Sequence, residues 1–108
     1  MFLAKVVGTV VATQKDHKLA GLKLLLVQNL SLDLELTKSF VVAADSVGAG
    51  AGEVVVCATG SSARLTEVTH NLPVDAVIMA IVDSLEVGGQ ITYNKTNDVK
   101  AAVAGAVS

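Results

Sequence analysis

Aromatic side chains are nearly missing from this chain: Phe2, Phe40 and Tyr93 are the whole set, and tryptophan is absent. That scarcity removes the stacking platform on which single-stranded nucleic acid is usually held. Eight basic and ten acidic residues leave a formal net charge of −2, with no basic run or stripe. The electrostatic footprint of a nucleic-acid binder is therefore missing as well. A single cysteine, Cys57, excludes an internal disulfide and fits a reducing compartment. It lies in the apolar run 54–58, where a cysteine behaves as a small buried hydrophobe. His17 and His70 are solitary, each in a polar loop, whereas a metal site needs clustered donors. No stretch approaches the roughly 20 apolar residues of a membrane-spanning helix. The opening segment is β-branched and carries only Lys5 as positive charge, so it reads as a strand and not as a secretion signal.

What the chain does have is aliphatic bulk. Of 108 residues, 52% are hydrophobic, and Val and Ala supply much of that. The length fits one domain spanning residues 1–108. A domain of this size buries roughly 65% of the surface its unfolded chain exposes. Part of the aliphatic surface therefore calls for cover at a subunit interface.

Valine-rich runs and turn signals place five main strands at residues 2–13, 23–30, 39–44, 53–59 and 74–87. Gly8 inside the first marks a bulge or sharp bend. Residues 14–21 read as a hairpin loop. Residues 31–37 read as a loop, although Leu32, Leu34 and Leu36 alternate with Asp33 and Glu35 and would also suit a strand. The apolar run 54–57 points to burial on both faces. After Gly60, Ser61 or Ser62 is placed to cap a short helix running to Val68. The run 76–82 is also compatible with a short helix, but its β-branched content and the following Gly88-Gly89 favour strand. Residues 91–93 suit a short edge strand, and the alanine-rich stretch 98–107 a weak terminal helix or a frayed end. The expected fold is all-β: a small five-stranded barrel like the oligonucleotide-binding fold, with one short helix after strand four and a short C-terminal segment.

Candidate chemistry is sparse. Gly48, Gly50 and Gly52 resemble a dinucleotide fingerprint, but the third glycine comes one residue early. The valines that follow form a strand and leave no helix N-terminus for a pyrophosphate. The structural reading is a tight loop with positive φ values or a close backbone approach. Gly60-Ser61-Ser62 lacks the Lys of a phosphate-binding loop, although backbone amides there suit a small anion. A small-anion or metabolite-binding barrel is thus the alternative reading. Ser61, His70 and Asp75 supply the letters of a hydrolytic triad without the G-x-S-x-G elbow. No catalytic, metal or cofactor residues are assigned.

Several stretches together resemble one known family. They are K-V-V-G-T-V-V-A-T (5–13), L-A-G-L-K-L-L-L-V (19–27), A-D-S-V-G-A-G-A-G-E (44–53), G-S-S-A-R (60–64) and P-V-D-A-V-I-M-A-I-V-D (73–83). In this order they look like the EutN/CcmL family, the pentameric vertex proteins of bacterial microcompartment shells. Ala44 and Met79-Ala80 depart from the residues many relatives carry, which touches packing detail only. The resemblance implies a barrel whose copies form a cyclic pentamer around a narrow opening, with a sixfold crystal form compatible with that. It also implies a structural protein that is not an enzyme and needs no cofactor. The shell would be that of an ethanolamine- or propanediol-utilisation organelle or a related metabolosome, with a carboxysome less favoured. Its partners would be hexameric shell proteins, with neither nucleic acid nor membrane, and its place the shell within the bacterial cytoplasm. Carried onto this chain, the positions near the ring axis or subunit interface are Val47, Gly48, Ala49, Gly50, Ala51, Gly52, Glu53, Gly60, Ser61, Ser62 and Arg64. Small residues suit loops that crowd around a symmetry axis. Arg64 suits a bidentate contact to a neighbour, the alternative being a solvated surface charge.

Overall fold

The computed structural model of the chain describes residues 1–96. The stretch 98–107, expected as a weak helix or a frayed end, lies outside the described residues. Among the described residues there are seven strands: β1 (Phe2–Val10), β2 (Leu24–Leu30), β3 (Leu36–Asp45), β4 (Val54–Thr59), β5 (Ala76–Ile81), β6 (Ser84–Val87) and β7 (Gln90–Asn94). The first five close into a barrel in the order β1-β2-β3-β5-β4, as the five-strand reading requires. All neighbours run antiparallel except β3 and β5, which are parallel. The β3–β5 seam is narrow: only Ala44 with Val77 and Asp45 with Ile78 pair across it.

Alternation along the strands fills the interior. Ala4 and Val6 of β1, Leu25 and Val27 of β2, Val55 and Cys57 of β4, and Ala76 and Ile78 of β5 form one buried cluster with Ala43 and Ala49. Small aliphatic residues suit the inside of a narrow barrel, which is where a sequence poor in aromatics has its advantage. A second cluster, Ala44, Ala58, Ala63 and Val77, lies on the outer face of the same strands. Ala63 belongs to a 3₁₀ turn, Gly60–Arg64, that covers the end of β4. That cover explains why β4 is apolar on both faces. Burial pushes the Cys57 thiol up to about 11, so it sits in the core as an inert hydrophobe.

The expected bulge at Gly8 is present. The β1–β2 register jumps between Val6 and Gly8, which bends the strand at a barrel corner.

Four expectations change. β1 stops at Val10 and not at residue 13, and β3 starts early, at Leu36. The helix expected from Ser61 to Val68 is only the 3₁₀ turn Gly60–Arg64. Thr59 occupies the capping position without a side-chain bond, so neither serine caps it. Beyond it, Thr66 Oγ1 accepts the Thr69 amide at 3.0 Å, and Thr69 Oγ1 donates to the Ala63 carbonyl at 2.5 Å. These local side-chain bonds compete with the helical ladder. Finally, the long fifth strand is two strands. β5 ends at Ile81, and β6 pairs with β7 as a separate hairpin. Gly88 and Gly89, with φ of 59° and 81°, form its two-residue turn. Two successive positive φ values are what such a turn requires, and glycine supplies them without strain.

Candidate functional site

Asp45 ends β3 and is 8% exposed. Its carboxylate folds over the segment that follows. Oδ1 accepts the amides of Val47 and Gly48, each at 3.1 Å, and Oδ2 accepts that of Ala49 at 3.0 Å. The Lys23 ammonium lies 3.9 Å from Oδ2 and donates to the Ala49 carbonyl at 3.3 Å. The Ser46 hydroxyl donates to the Ile78 carbonyl at 2.6 Å, tying the start of the loop to β5.

A second carboxylate organises the other end. Glu53 Oε1 accepts the Gly50 amide at 2.6 Å, and Oε2 lies 2.6 Å from the Lys95 ammonium. The Gly52 amide donates to the Val6 carbonyl at 2.8 Å, and the Val6 amide to the Glu53 carbonyl at 3.0 Å. Gly48 and Gly52 take φ of 77° and 82°, the left-handed values that favour glycine. The Lys95 hydrogen bond, helped by the Gly50 amide, holds the Glu53 carboxyl below its usual range. The same contact raises Lys95.

The loop 46–53 is therefore a fixed object. Two acids bind its amides from within, and Ala49 plugs into the core. The amides a small anion would need at Val47, Gly48, Ala49 and Gly50 are already occupied. These amides are therefore not open to the pyrophosphate that the dinucleotide-like glycine spacing would call for.

The second candidate segment has a different character. Gly60, at φ 64°, donates its amide to the Asp75 carbonyl at 2.8 Å. Ser61, Ser62 and Arg64 are exposed, and Leu65 beside them is 79% exposed. His70 faces the Asn71 amide at 3.2 Å, and no hydrogen bond among the described residues joins it to Ser61 or to the Asp75 carboxylate.

The two segments do not meet. They sit at opposite ends of β4, which at about 3.3 Å per residue separates them by roughly 17 Å. Asp45 and Lys95 are the functional side chains that sequence reasoning missed. An aspartate two residues before a loop rich in glycine is a signal for Asp45, because such carboxylates fold onto the following amides. Lys95 reaches Glu53 only through the fold, and no local pattern marks it.

A family model described as "Ethanolamine utilisation protein EutN/carboxysome" matches residues 1–83. The chain belongs to the EutN/CcmL family. Among its EutN/CcmL relatives is the carboxysome shell vertex protein CcmL of Synechocystis sp., 45% identical over 98 residues, covering 91% of this chain and 98% of that one. The structure of Gloeobacter violaceus CcmL superposes with a TM-score of 0.86 at 38% identity, covering 89% of this chain and 99% of the other. The GrpN pentameric microcompartment shell protein from Rhodospirillum rubrum superposes with a TM-score of 0.72 at 45% identity, covering 81% and 98%. The closed barrel is thus the EutN/CcmL barrel, and the glycine loop and the Gly60–Arg64 turn both lie within the matched region.

Proposed function

We propose that this protein is a non-catalytic corner piece of a bacterial microcompartment shell, acting in the bacterial cytoplasm as a ring of five copies. The observation that carries the reading is the family match, whose relatives are shell vertex proteins and include one described as pentameric. The physics of the surface supports it. Twelve large apolar side chains are exposed among the described residues, and a contact between copies would take part of that surface out of water. A head-to-tail contact whose rotation closes after five copies covers such surface without leaving an open end.

The two candidate segments take different parts. Gly60, Ser61 and Ser62 are small, polar and exposed, which suits the rim of a narrow aqueous opening where five copies of one turn converge. Arg64 then reaches a neighbour's carboxylate or carbonyls. The loop from Val47 through Gly48, Ala49, Gly50, Ala51 and Gly52 to Glu53 presents little side-chain bulk, which suits close packing against a neighbouring subunit. Hexameric shell proteins are the partners at the outer edge.

Light scattering on the purified chain tests this directly. A mass near five subunits is expected, and a clean monomer at all accessible concentrations overturns the reading. Loss of shell closure in cells lacking the protein, restored by the wild-type chain, tests the cellular role.

A further inference from the structure

The β6–β7 hairpin pairs with no strand of the barrel. It leaves the barrel after Ile81 and returns at Lys95, whose amide donates to the Asp83 carbonyl. A two-stranded hairpin is marginal in water by itself, yet this one carries Ile91 at 66% and Val87 at 39% exposure.

A matching vacancy exists elsewhere on the same chain. β3 pairs across to β5 only at Ala44 and Asp45, so residues 36–43 have no strand neighbour on that side among the described residues. Phe40 and Val42, 54% and 47% exposed, stand on this open stretch. Val42 also lines a mainly aliphatic groove of about 200 Å³ with Leu24, Pro73 and Val74, and with Asp75 at its edge. An unprotected edge of this kind is a template for pairing with another chain.

Arm and groove belong to opposite ends of β5. The groove includes Ala76 and the arm departs after Ile81, about 17 Å apart along the strand. A projecting patch and a separate receiving patch are the ingredients of a head-to-tail contact, which builds rings and not twofold dimers. We infer that the β6–β7 arm of one copy seats on the open β3 edge and its Val42 groove in the next copy around the ring. The arm is thereby covered, the edge is closed, and Ile91 becomes an anchor of the ring.

This inference rests on the five-copy reading, and the test separates the two. Ile91→Asp changes a side chain already exposed in the single chain, so the barrel should fold unchanged by circular dichroism. The concentration at which the ring half-dissociates should rise at least tenfold. In parallel, a Val42→Cys/Ile91→Cys double variant is oxidised; the native Cys57 is fully buried. It should give a ladder of cross-linked species ending at five chains, while each single variant stays uncrosslinked, because Val42 never meets Val42 nor Ile91 meets Ile91. If wild type is a pentamer and the double variant forms no cross-link between chains, the arm assignment is overturned and the pentamer stands. If wild type is a monomer, both fall. Where dissociation and cross-linking disagree, the cross-link decides.

Discussion

The two ends of β4 make opposite use of small residues. At its start, the loop 46–53 is held from inside: Asp45 takes three amides, Glu53 takes a fourth, and barrel backbone takes a fifth. At its finish, the Gly60–Arg64 turn is held mainly by a backbone bond to Asp75, by a pair of threonines and by buried Ala63, while Ser61, Ser62 and Arg64 are exposed. The first loop keeps its shape before any partner arrives. The second spends its side chains on whatever lies beside it. Glycine therefore signals rigidity at one end and access at the other, and only the surrounding carboxylates tell the two apart.

The sharpest way to break this contrast is to remove Asp45. Asp45→Ala strands three amides of a partly buried loop and leaves Lys23 without its acid. Hydrogen bonds to a charged acceptor contribute roughly 1.5–3 kcal/mol each, and part of that returns through water, so a loss of about 3 kcal/mol is expected. Thermal denaturation should show a midpoint about 10–20 °C lower. An unchanged midpoint would mean the loop is not held from inside.

Gly52→Ala asks the same question of the backbone. A methyl group there meets no atom within 4 Å, so its cost is conformational and comes from φ of 82°. That strain is worth about 1–2 kcal/mol, measurable by urea unfolding. Gly48→Ala should behave alike.

Glu53→Gln sharpens the picture through pH. A carboxyl held below its ordinary value contributes stability above that value, and the contribution is lost as pH falls through the lowered one. Wild type should therefore exceed the variant near neutrality, and the gap should narrow below about pH 4. Paired unfolding curves at pH 7 and pH 3 check the sign. A gap that widens in acid would refute the role assigned to Lys95.

Arg64→Ala completes the contrast with the smallest effect on folding. Removing an exposed charge should move stability by less than about 0.5 kcal/mol. Assembly is the sensitive readout: the variant should dissociate at higher protein concentration than wild type in sedimentation velocity. A large drop in stability with intact assembly would place Arg64 in the fold and not in the contact.

Much of this was legible in the residues. Valine-rich runs gave the five barrel strands, and Gly8 gave the bulge, because period-two burial and a missing side chain leave local marks. The turn at Gly60 was also readable, since glycine is followed there by small polar residues. The helix expected from Ser61 or Ser62 to Val68 does not form, because Thr66 and Thr69 make local side-chain bonds that compete with the helical ladder. The β6–β7 hairpin was only partly legible: Gly88-Gly89 and a strand at 91–93 were marked, but no glycine or proline accompanies Asp83 and Ser84 to signal the exit from the barrel after Ile81. The Glu53–Lys95 pair had no local trace at all, since it joins the loop to the base of the arm, 42 residues further along the chain.

The thin seam between β3 and β5 has a bearing on how the molecule comes to exist. β1, β2 and β3 follow one another as a meander, while β1 with β4 and β3 with β5 both join residues distant along the chain, the second through two pairs only. Contacts between distant residues pay the largest loop entropy and are slow to form. The barrel should zip from its meander, and the join at Ala44 and Asp45, with the fewest pairs, should be the easiest to reopen. Amides on that join should be the first in the barrel to exchange with deuterated solvent.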